Sequence, residues 1–97
     1  MDSLGSRLKH VRVLAGIGSA ELGEFAGLKS PSHVGMIERG KRPEIAAATA
    51  VALAHVLGVA TDWLVTGEGP DPDPDAVHAA VERAREAHKA KPSEVAA

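Results

Sequence analysis

Apolar residues near the start of the chain recur at helical spacing. Leu4, Leu8, Val11 and Ala15 fall at i, i+4, i+7 and i+11, a single stripe that Leu14 widens. Arg7, Lys9 and Arg12 lie beside or opposite this stripe, and Gly16 and Gly18 end it. A shorter second helix is predicted from Ser19 to Ala26, with Leu22 and Ala26 turned inward, Phe25 at the border and Gly27 as its stop. Gly23 inside that helix costs ~1 kcal/mol relative to alanine, so a close helix crossing is expected there. The third helix has the sharpest start signal. Ser30 suits the N-cap and Pro31 the first helical position, where a missing N–H does no harm. Val34 and Ile37 then point inward, and Gly40 closes the helix.

From Glu44 to Leu57 an alanine-rich segment carries apolar groups on nearly every side, the pattern of a central buried helix. His55 reads there as a hydrogen-bonded or boundary residue. A fifth helix is expected from Thr61, as N-cap, through Trp63 and Leu64 to Gly67. The alternating Pro/Asp run of residues 70–75 reads as a stiff acidic linker that cannot continue a helix. Beyond it, Val77, Val81, Ala84 and His88 form a weak stripe over residues 76–90. The expected fold is all-α. It has a five-helix domain in residues 1–69, the linker 70–75, and a C-terminal helix and tail in 76–97 that is flexible or dimer-forming. Its second and third helices, joined by a glycine turn, make a helix-turn-helix pattern.

Composition narrows the chemistry. A length of 97 residues allows one compact domain and a short appendage. The absence of cysteine excludes disulfides and thiolate zinc sites and fits an intracellular setting. The charged start lacks the apolar core of a signal peptide, and the apolar stretch Ile45 to Ala60 is short and interrupted, so no membrane is implied. Asp71, Asp73, Asp75 and Glu82 mimic a calcium loop, but prolines interrupt it and Ala76 stands where glycine is needed. The five histidines include no i, i+4 pair, and no Ser or Asp has a partner at catalytic spacing. No metal, cofactor or catalytic residue is expected. The formal charge of −2 argues mildly against a strong phosphate binder. The excess acid lies beyond Gly69, with local basic clusters before it.

Several segments together carry a family resemblance: Arg7-Leu8 through Arg12, Gly16-Ile17, Leu22 through Gly27, Ser30 through Gly40, Leu57-Gly58-Val59, and the ending Thr61 through Gly69. On these, residues 4–69 resemble the lambda-repressor/Cro-like, xenobiotic-response-element type of helix-turn-helix domain. The resemblance implies a DNA-binding transcriptional regulator, more often a repressor, with double-stranded DNA as partner and a bacterial or phage cytoplasm as setting. It implies that the helix at Ser30–Arg39 enters the major groove, with Ser32, His33 and Met36 as base contacts. Lys29, Ser30, Arg39, Lys41 and Arg42, with Ser19 at the second helix's start, would hold phosphates. An Arg12–Glu38 ion pair would brace the reading helix.

Homodimerisation is expected through Trp63, Leu64 and Val65, or through Val77 and Val81 of the tail helix. An alternative reading is an antitoxin-like module whose residues 76–97 bind a protein partner. The chain departs from the family at Ser19, where Gln is frequent. It departs again in a turn at Leu28-Lys29 that is one residue longer, and in a longer approach to the fourth helix.

Overall fold

The structure is a computed structural model that describes residues 3–30, 32–40 and 45–89. The described residues form six helices and no strand: α1 (Leu4–Ala15), α2 (Ser19–Phe25), α3 (His33–Glu38), α4 (Ala47–Leu57), α5 (Thr61–Thr66) and α6 (Pro74–Lys89). The chain is all-α, as the periodicity predicts. None of these helices is long and apolar enough to cross a membrane.

Helix α1 has the predicted span, and local chemistry explains both ends. Ser3 caps it by accepting the Ser6 N–H at 3.1 Å. At the other end Gly16 is left-handed, and the Ile17 N–H donates back to the Arg12 carbonyl at 3.2 Å. That turn sends Ile17 into the core beside Leu8, Val11 and Ala15. The same core takes Leu22 from α2, Val34 and Ile37 from α3, Leu53 and Leu57 from α4, and Trp63 and Leu64 from α5. Among the described residues, the ten largest side chains that are almost wholly withdrawn from water are mostly Leu and Val, and they supply most of the drive to fold.

Three expectations need correction. Helix α4 is not buried all round: Ala47, Ala48, Val51 and His55 face solvent, with Val51 53% exposed. Alanine is small enough to line either a core or a surface, so an alanine-rich segment looks apolar on sides that pack against nothing. The acidic linker is also shorter than expected, because Pro74 is the first residue of α6. Proline suits a first turn, and the Val77 N–H donates to the Asp73 carbonyl at 3.0 Å.

The third correction concerns the tail helix, which is part of the core. Val77 and Val81 are fully buried and Ala80 nearly so, with α6 packed across α1, α2 and α4. Crossing α4 this closely requires Gly58. A Cβ there would stand 2.5 Å from the Ala80 Cβ, and the backbone φ of +69° suits glycine.

Polar contacts fasten α6 at its rim. His78 donates from Nε2 to the Leu14 carbonyl at 2.8 Å, and Arg85 donates to the Gly16 carbonyl and the Glu21 carboxylate. His88 Nε2 lies 2.9 Å from a Glu24 oxygen. The Glu21 hydrogen bond pushes the Arg85 guanidinium above its usual pKa.

Candidate nucleic-acid interface

Helices α2 and α3 are joined by a compact turn. Gly27 is left-handed, and the Leu28 N–H donates to the Gly23 carbonyl at 2.9 Å. Helix α3 begins later than predicted, at His33, with Ser32 rather than Ser30 at the N-cap position. Ser30 still accepts the Ser32 N–H on its Oγ at 3.3 Å, and its carbonyl accepts the His33 N–H at 3.1 Å. The Ser30 and Ser32 hydroxyls lie 3.0 Å apart. Pro31 lies outside the described residues.

One side of α3 is buried through Val34 and Ile37. At about 100° per residue, Ser32, Gly35, Met36 and Arg39 share the opposite side, with His33 on its flank. Ser32 and Arg39 are exposed, while His33 and Met36 are half-buried. The Arg39 guanidinium folds back over Gly35, where a Cβ would meet its Nη1 at 3.2 Å. Lys29 and Ser30 are exposed in the turn just before, and Ser19 is the half-buried first residue of α2. The expected phosphate contacts Lys41 and Arg42 lie outside the described residues.

Helix α3 is held from below by α1. Arg12 and Glu38 form a two-pronged pair, Nε to Oε2 at 2.6 Å and Nη2 to Oε1 at 3.1 Å, with side chains only 17% and 7% exposed. A third donor, Arg12 Nη1, reaches the Ile17 carbonyl at 3.0 Å. Beside this pair Gly5 touches the α3 backbone itself. A Cβ at Gly5 would stand 2.9 Å from the Glu38 carbonyl oxygen and closer still to that of Ile37. The close crossing expected at Gly23 is by contrast relaxed, since a Cβ there would meet Val34 at 3.5 Å, an ordinary contact.

The helix-turn-helix family model matches residues 8–64, which takes in all of α2, the turn and α3. The chain belongs to the lambda-repressor/Cro-like helix-turn-helix family. No curated protein and no solved structure gives a match. Membership in this DNA-binding family makes the outward side of α3 the candidate interface. Among the described residues no group of three His, Asp or Glu side chains could hold a metal ion.

In this helix-turn-helix chain, four of the residues expected at a dimer contact lie inside the monomer. Trp63, Leu64, Val77 and Val81 are buried in the core, where their apolar area is covered by the chain's own helices; Val65, 42% exposed, still faces solvent. Sequence reasoning also missed Arg7, which is only 6% exposed. Its Nε donates to the Leu64 carbonyl at 2.9 Å and its Nη2 to the Val65 carbonyl at 2.7 Å. It thereby satisfies carbonyls at the C-terminal end of α5. The signal was divided between two segments, Arg7-Leu8 and Trp63 through Gly69, with nothing in either to say that they meet.

Proposed function

We propose that this protein represses transcription by binding a specific double-stranded DNA site as a homodimer in a bacterial or phage-infected cytoplasm. The observation that carries this reading is the outward side of α3, where Ser32, Met36 and Arg39 stand on a helix clamped to α1 from behind. A helix so held fits the major groove, where each base pair shows a distinct set of donors, acceptors and methyls. Ser32 and His33 hydrogen-bond base edges, and Met36 touches a thymine methyl. Ser19, Lys29, Ser30 and Arg39, with Lys41 and Arg42, hold phosphates and set the register without reading sequence.

One short helix reads few base pairs. Two copies about a two-fold axis, meeting near Val65, place their half-sites about one DNA turn apart. The near-neutral charge keeps non-specific attraction weak, so specificity rests on direct contacts and on pairing of the copies. A partner-binding role for residues 76–97 has less support, because α6 spends its apolar side on its own core.

Selection of bound sequences from a random duplex pool tests the reading, with a His33→Ala/Met36→Ala double variant beside the parent chain. An enriched motif that the double variant no longer selects supports it, and no enrichment at low salt overturns it. Sedimentation across a concentration series tests the dimer, which a monomer at every concentration refutes.

A further inference from the structure

Helices α2, α4 and α6 leave between them an open cleft of about 440 Å³ on the flank of the core. That volume lies in the range of small-molecule sites, about 300–1,000 Å³. Its floor is apolar, formed by Phe25, Val56 and Ala84, and its polar groups are the basic side chains His55, Arg83 and His88. The bases of α6 are not equivalent. Arg85 is paired with Glu21 and Glu82, His88 with Glu24, and Lys89 with Glu86. Arg83 forms no ion pair among the described residues, and it lines the cleft. Among the described residues no acid lines the cleft, and Glu24, beside Phe25 in the chain, contacts His88 Nε2 at 2.9 Å, the His88 ring lying against Phe25 with centroids 5.0 Å apart.

We propose that this cleft binds a small amphipathic carboxylate, its apolar body on Phe25, Val56 and Ala84 and its charge on Arg83, with His55 as a neighbouring polar group. A neutral apolar ligand would leave the guanidinium unmatched. A small hydrophilic anion would leave the floor wet. One molecule carrying both features satisfies the two walls together, because α4 supplies His55 and Val56 while α6 supplies Arg83 and Ala84. The site lies on different side chains from the outward face of α3, so occupancy does not require DNA.

The test is titration of the isotope-labelled full chain with decanoate, followed by NMR without DNA. Saturable shifts centred on Phe25, His55, Ala84 and His88 are expected, with decanol binding more weakly. Arg83→Gln should weaken decanoate binding about tenfold, the value of one charge-assisted contact at a partly wetted site. Because Arg83 is exposed, an unchanged melting temperature confirms that this variant is folded. Three outcomes overturn the proposal: no saturation at millimolar decanoate, equal binding of decanol, or full affinity in Arg83→Gln. Since no DNA is present, failure here leaves the DNA-binding reading untouched.

Discussion

Helices α3 and α6 are kept in place by opposite means. Helix α3 has six residues and buries only Val34 and Ile37, too little apolar area to fix a helix against the core. Its position is enforced through α1, by backbone contact at Gly5 and by the Arg12–Glu38 pair. Helix α6 has 16 residues and a buried stripe of Val77, Ala80 and Val81, so its own area holds it and its polar contacts lie at the rim. A helix that must present one side to a ligand cannot also use that side for packing. Rigidity then has to be supplied by neighbours, through contacts that tolerate little change.

The largest effect is expected where that rigidity is most local. Arg12→Ala leaves the Glu38 carboxylate, 7% exposed, without its partner, and should cost about 3 kcal/mol in urea unfolding. Its loss of DNA affinity should exceed what the unfolded fraction explains. Gly5→Ala drives a methyl group into the α3 backbone and should cost about 2–3 kcal/mol in the same measurement, again with a loss of DNA affinity.

Val77→Ala removes packing under α6 and should cost ~2 kcal/mol. DNA affinity of the folded protein should hold, and a tenfold loss at low temperature would break the division between the two helices. Gly23→Ala sharpens it from the other side. The added methyl finds ordinary contact with Val34, so α2 should gain about 0.5–1 kcal/mol, read as a higher melting temperature. Smallest of all, Arg85→Gln should leave the urea unfolding midpoint almost unchanged, since its partners are well exposed, and a clear drop would show that the rim contacts hold α6.

These differences explain what was legible in the chain. The apolar stripe and span of α1 are legible because Leu4, Leu8, Val11 and Ala15 keep helical spacing and Gly16 marks the end. The turn between α2 and α3 announces itself through Gly27 and Ser30. Helix α6 is legible as a helix but not as core, since a stripe of small apolar residues looks too weak until Gly58 lets it approach α4. The outward residues of α3 are named from family geometry, and periodicity adds only that Arg39 shares their side. Arg7 is illegible for a different reason. A charged residue beside an apolar stripe is normally solvated, and only the arrival of the α5 carbonyls gives it a buried role. Gly5 is silent in the same way, because its purpose is the absence of a side chain at a place set by another helix.

The position of α6 also orders events in time. The contacts of His78 with Leu14, Arg85 with Glu21 and His88 with Glu24 each join residues 64 apart. During synthesis, α1 through α5 leave the ribosome with the surface destined for Val77 and Val81 still open to water. The core is sealed only when residues 74–89 have emerged and swung back over it. Until then the nascent chain presents an apolar patch that a chaperone can hold, and α6 is the helix that ends that exposure.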